Sequence, residues 1–166
     1  MALEALESDE AANPLDRVER IAETYQWAFA RTNAREVTME VTGGWGDMTV
    51  SINWRDEFEL LHVAVSLDLK VPPARRDEVA RLMARINEQL LVGHFDLWHA
   101  DGSLLFRNSL LLNGHAEAND AQCEALIHLA LETAERYFPA VQFVVWAGQS
   151  ATEALEAAMI DTWGEA

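Results

Sequence analysis

Hydrophobic positions along the chain follow two periods, and the switches between them mark out the elements. Asn13-Pro14 reads as a helix N-cap and first helical residue, since an Asn side chain accepts from free backbone amides and Pro needs no N–H there. Leu15, Val18, Ile21, Ala22, Tyr25 and Phe29 then recur every three or four residues. That stripe predicts a helix running to about Arg31. From Val37 the period falls to two: Val37, Met39 and Val41 alternate with Thr38, Glu40 and Thr42, the spacing of a strand. Gly43-Gly44-Trp45-Gly46 supplies a turn. A second strand carries Met48, Val50, Ile52 and Trp54, and a third runs from Phe58 to about Leu69. The third has Leu61, Val63, Val65 and Leu67 on one side and Phe58, Leu60, His62, Ala64 and Ser66 on the other.

Val71-Pro72-Pro73 stops the sheet. A helix follows over about 74–91, with Val79, Leu82, Met83, Ile86 and Leu90 as its buried stripe and Gly93 as its stop. Asp101-Gly102, set between two β-rich runs (94–100 and 103–112), is a strong hairpin cue. Asn119 or Asp120 caps a third helix to about Tyr137, where Phe138-Pro139 is expected to break or kink it. The block Ala140 to Ala147 fits either a buried helix or a buried strand. A short helix from Ser150 or Thr152 to about Asp161 closes the series.

The predicted order is α-β-β-β-α-β-β-α with a C-terminal apolar appendage, an α+β layer fold. Residues 13–166 read as a single domain behind an acidic, mobile segment 1–12. Several strands are apolar on both faces, most clearly 104–112, and one layer of helices covers only one of them. The appendage or a second subunit is expected to cover the other, so a homodimer follows naturally.

Charge narrows the partners. The 166 residues include 28 acids and 12 bases, a net of −16, and Lys70 is the only lysine. Nucleic-acid and anionic-membrane binding both need a basic surface, so neither is expected. A single cysteine, Cys123, closes no internal disulfide. Residues 1–13 have four acids and no base, unlike a secretory or mitochondrial leader, and no apolar run reaches membrane-span length. The expected location is cytoplasmic.

No residue pattern announces catalysis, a cofactor or a metal. His94 and His99 lie five apart on a predicted strand and face opposite ways, and neither HExxH nor a Cys/His cluster occurs. Asp96 shares a strand face with His94 and Trp98, but no nucleophile motif accompanies them. Cys123 near a helix start reads as a buried or half-buried spectator rather than a redox thiol. The glycine-rich turn joins two strands, so it is a hairpin tip and not a phosphate cradle. Trp45 at that tip is either an exposed contact or folded back on the sheet. Six tryptophans are many for this length, and interfaces are enriched in them. The candidate contact residues are therefore Trp45, Trp54, His62, His94, Asp96, Trp98 and Arg107.

The segments Gly93 to Trp98, Leu104 to Leu112 and Pro139 to Leu155, with Phe106-Arg107-Asn108 at their centre, resemble the YbjN-like family, described as bacterial sensory-transduction regulators. The likeness spans about residues 14–165. It implies a dimeric antiparallel sandwich similar to type III secretion chaperones, in agreement with the element order above. Such chaperones bind extended segments of a partner, and an anionic field with apolar grooves suits basic ones. The appendage after Pro139 could occupy the surface where such a client would lie. The expected function is a non-enzymatic, dimeric protein-binding module, regulatory or chaperone-like. The alternative is a small-molecule sensor or enzyme with a pocket between sheet and helices.

Overall fold

The computed structural model describes residues 13–163. The expected mobile segment 1–12 lies outside the described residues. Asn13 caps helix α1 (Pro14–Thr24) by accepting from Leu15 N. The helix ends eleven residues in, earlier than its apolar stripe suggests. Gln26 takes a left-handed backbone (φ 59°), and the chain turns into strand β1 (Ala28–Asn33). The expectation of helix to Arg31 is corrected accordingly. Phe29 packs inward from a strand, where its three- and four-residue spacing to Tyr25 is coincidental.

Strands β2 (Glu36–Thr42), β3 (Asp47–Arg55) and β4 (Leu60–Lys70) form the expected meander. Phe58 belongs to a short 3-10 turn rather than to the strand. Helix α2 (Arg76–Asn87) leads to β5 (His94–Leu97) and β6 (Ser103–Leu111). Among the described residues these make one six-stranded antiparallel sheet, ordered β1-β2-β3-β4-β6-β5. The α+β sandwich follows the expected order, with β1 as an added edge strand. At the other edge, the Asn87 side chain accepts from Phe95 N (2.8 Å) and donates to Phe95 O (3.2 Å), which occupies the outer ladder groups of β5.

Helix α3 (Asp120–Val145) continues through Pro139 without a break, so Ala140–Val145 is helix and not strand. Proline removes one ladder hydrogen bond, a cost of about 3 kcal/mol in an isolated helix. Here Tyr137, Phe138, Pro139, Ala140 and Val141 are all buried, and their packing offsets it. Helix α4 (Ala151–Trp163) follows. It packs on α3 and α2, so the appendage thickens the helix layer and leaves the far side of the sheet alone.

The start of α3 is held by a reciprocal capping box. Asn119 Oδ1 accepts from Gln122 N (2.8 Å), and Gln122 Oε1 accepts from Asn119 N (2.9 Å). Asn119→Ala should lower the unfolding free energy by about 1 kcal/mol. A urea titration showing no change in midpoint would refute this account of the cap.

All four helices stand on one side of the sheet. The core between the layers holds Leu15 and Val18 of α1, Val50 and Ile52 of β3, Leu61, Val63 and Val65 of β4, Phe106 of β6, and Ile127 and Ala130 of α3, each buried. The other side of β2, β3, β4 and β6 carries Thr38, Ser51, Ala64 and Arg107 in one registered row across the strands. Among the described residues no helix packs on that row.

Candidate functional site

The uncovered sheet face holds a shallow groove of about 500 Å³, floored by Ser51, Asn53, His62, Ala64 and Leu105 and walled by Arg55, Phe58, Trp98 and Arg107. A second depression adjoins it, lined by Leu60, His94 and Leu111 among others. Strand alternation puts these side chains together. Leu60, His62 and Ala64 are the even positions of β4, while Leu61, Val63 and Val65 point into the core. Leu105 and Arg107 are outward positions of β6, alternating with the core residues Leu104 and Phe106.

An ion-pair network runs along one wall. Arg107 Nη1 donates to Asp96 Oδ2 (2.9 Å), and Arg107 Nε donates to His62 Nε2 (3.2 Å). His94 Nε2 stands 3.2 Å from the same Asp96 oxygen. Accepting this hydrogen bond requires His62 to carry no proton on Nε2. Burial pushes the His62 imidazole below its ordinary pKa, and the nearby charges of Arg107, His94 and Arg55 push the same way. Stability then depends on pH with a definite sign. Below the ordinary value of about 6.5 the unfolded chain takes up a proton that the folded one resists. The His62 contribution is therefore present above that pH and lost as pH falls toward the lowered folded value. Urea midpoints should fall from pH 7 to pH 5, and His62→Gln should flatten the fall. An equal slope in both proteins would rule this out.

Trp98 reaches the groove by a backbone route. Gly102 N donates to Trp98 O (2.8 Å), Trp98 N donates to Ser103 O (2.8 Å), and Val71 N donates to Gly102 O (2.8 Å). Arg76 Nη1 donates to His99 O (2.8 Å), tying the same loop to α2. Trp98 is about half exposed, and Phe58 and Leu111 are 60% and 67% exposed.

The seven expected contact residues do not form one group. His62, His94, Asp96, Trp98 and Arg107 come together on the open face. Trp54 lies on the opposite side, against α1, beside a small cavity lined by Asn13, Arg17, Arg20 and Leu112. Its partner across the ladder, Leu61, points into the core, and Trp54 points the same way. Trp45 stands at the β2–β3 tip, 48% exposed, where Gln142 of α3 donates to its carbonyl and Gly44 N donates to Glu135. Sequence reasoning omitted Arg55, Phe58, Leu60, Ala64 and Leu105 from the site. For Phe58, Leu60 and Ala64 the signal was the second, non-core face of the third predicted strand, for Leu105 it was the second apolar face of 104–112, and Arg55 carried none. Elsewhere, Tyr25 stacks on Trp27 (centroids 4.9 Å), and His128 of α3 meets Tyr25 edge-on at 4.7 Å. Cys123 is buried, and burial pushes its thiol up, away from the thiolate that redox chemistry uses. Among the described residues no three His, Cys, Asp or Glu side chains converge as metal ligands, and no helix is long and apolar enough to cross a membrane.

A family model described as "Putative bacterial sensory transduction regulator" matches residues 14–143, from the first helical residue into the last third of α3. The chain belongs to the YbjN family. That match covers the whole sheet and the open face, and stops before α4. The fold is shared with two solved structures. One is the crystal structure of YbjN, "a putative transcription regulator from E. coli", at 14% identity and TM-score 0.54, covering 73% of this chain and 85% of that one. The other is the crystal structure of the ExsC–ExsE complex, at 15% identity and TM-score 0.51, covering 78% and 93%. ExsC is a type III secretion chaperone, so the chaperone-like sandwich is the architecture of this YbjN-family chain as well. No curated protein matches the sequence.

Proposed function

We propose that this YbjN-family chain is a non-enzymatic, cytoplasmic protein-binding module, a regulator or chaperone-like adaptor that works as a homodimer. The observation that carries the reading is the bare sheet face. Half of a six-stranded sheet's side chains stand outside the helix layer, and they include the exposed Phe58, Trp98 and Leu111 around one groove. Large apolar side chains gathered beside a groove mark contact surfaces. The groove is open along its length, which suits an extended segment better than an enclosed small molecule. The similarity to ExsC, solved as a complex with ExsE, supports the same reading.

Catalysis is a poor fit to this site. His62 Nε2 is occupied by Arg107 and His94 is turned to Asp96, so neither imidazole is aimed at Ser109, the hydroxyl opposite His62 in the ladder, while Ser51 and Ser103 bond to Glu36 and Asp101. No hydroxyl or thiol is paired with an imidazole base there, as nucleophilic catalysis requires.

The test is affinity isolation of the tagged protein from its native cells at normal abundance. A near-stoichiometric protein partner supports the binding-module reading. Recovery of the chain alone, as monomer, counts against both the adaptor and the dimer.

A further inference from the structure

We propose that the outer edge of β1 takes on a seventh strand, an extended basic segment of a partner protein. The assignment rests on the protein-binding reading above and adds where the partner's backbone joins the sheet. The two edges of the sheet, β1 and β5, differ. The Asn87 side chain occupies the outer groups of β5. Among the described residues nothing bonds the outer backbone groups of residues 28–32, and the Arg31 guanidinium reaches only the carbonyls of Asn33 and Ala34. A row of free N–H and C=O groups is a template for strand addition. Residues 28–31 pair with β2 in unbroken register, and the irregularity comes only after Arg31. Neither lysine nor proline guards this edge.

Charge selects the occupant. Phe29 and Arg31 turn toward the helix layer, where Phe29 packs on the core and Arg31 pairs with Asp16 and Glu19 of α1. Ala28, Ala30 and Thr32 therefore line the outer margin of the open face. Behind them on β2 stand Glu40, opposite Ala28, and Glu36, opposite Asn33. Each accepts from a hydroxyl, Thr49 (3.0 Å) and Ser51 (2.9 Å), and among the described residues neither meets a cation, so each keeps its negative charge. Arg35, next to Glu36 in sequence, is turned to Asp56 (3.2 Å). A lysine or arginine opposite Ala28 on an added strand would stand two strand spacings, about 10 Å, from Glu40, with only a methyl group between. Its stem can lie on that methyl while its cation reaches the carboxylate. Glu36 and Glu40 are four residues apart on one face of β2, about 13 Å, so the matching bases fall at i and i+4. Positions i+1 and i+3 turn to the helix side beside Phe29 and suit apolar side chains. Two other occupants fail on charge. A second copy brings only Ala28, Ala30 and Thr32 to this margin. Residues 1–12 join the fold beside it, since Asn13 donates to the Ala34 carbonyl (2.8 Å), but they carry four acids and no base.

The experiment uses the full-length protein and a fluorescein-labelled peptide with Lys at i and i+4, Val at i+1 and i+3, and Thr at i+2. One control has Glu at both Lys positions. A second keeps every side chain but carries N-methyl groups on alternate backbone nitrogens, in both phases, which removes strand pairing and leaves the charge. Fluorescence anisotropy should give saturable binding of the Lys peptide, with both controls at least about tenfold weaker. Amide exchange over residues 28–32 should be fast in the free protein and slow with the Lys peptide bound. The double variant Glu36→Gln, Glu40→Gln keeps an acceptor for Ser51 and Thr49. It should weaken the Lys peptide by at least about tenfold at an unchanged melting temperature. Equal binding of the Glu or the N-methylated peptide, no saturable Lys binding up to about 1 mM, or unchanged binding by the folded double variant would each overturn the proposal. So would slow exchange over residues 28–32 in the free protein, which would mean that the chain covers its own edge. A cellular partner retained by the double variant removes this surface and leaves the protein-binding reading standing. Peptide binding with no cellular partner does the reverse.

Discussion

Phe106→Ala is expected to lower the unfolding free energy by about 4 kcal/mol, the largest loss for any single truncation in the sheet. Phe106 is fully buried and is the bulkiest of the fully buried side chains. It meets Phe95 edge-on at 5.3 Å, and it pairs across the ladder with both Val65 and Phe95. The chain around it has no freedom to collapse into the space. Gly93 passes so close that a Cβ there would lie 2.3 Å from the Phe106 ring. Arg107 follows directly on the same strand, so the cavity would also loosen the wall of the groove. Denaturant unfolding measures the first effect, and amide exchange at Arg107 the second. A loss below about 2 kcal/mol would mean that the β5–β6 ladder is not packed as described.

Gly102→Ala comes next, at about 3 kcal/mol. Gly102 has φ +75°, a left-handed backbone that costs any other residue energy. The larger penalty is steric. A Cβ would stand 2.4 Å from the carbonyl oxygen of Val71, a backbone atom held in place because Val71 N donates to Gly102 O. Relief therefore means pulling the β5–β6 turn off the end of β4. Trp98, held by two hydrogen bonds of that turn, would move with it. The variant should show a lower urea midpoint and fast amide exchange at Trp98 and Ser103 specifically. Protection equal to the parent at those amides would refute the coupling between this turn and the groove.

Local pattern determined most of the elements. Alternation over 37–42, 48–54 and 58–69 placed three strands, the last two residues too long at its start, Asp101-Gly102 placed the hairpin, and caps at Asn13 and at Asn119 or Asp120 placed two helix starts. These signals act within a few residues, so one chain suffices to read them. The second apolar or small-residue face of the third strand (Leu60, His62, Ala64) was likewise visible, and so were His94, Asp96, Trp98 and Arg107.

Tertiary structure decided the rest. Residues 28–33 are strand because β2 offers a ladder edge, although their spacing to Tyr25 mimics a helix. Pro139 sits inside a helix because its neighbours are buried on both sides, and propensity does not count such packing. Trp54 and His62 are only eight residues apart and both belong to strands, yet they face opposite sides of the sheet. Register fixes that, since a shift by one residue reverses every side chain. Above all, the sequence left open whether the appendage covers the second face of the sheet. Its helix packs on α2 and α3 instead, because the apolar half of α3 beyond Tyr137 continues the helix layer and draws α4 onto it. The groove stays open for that reason.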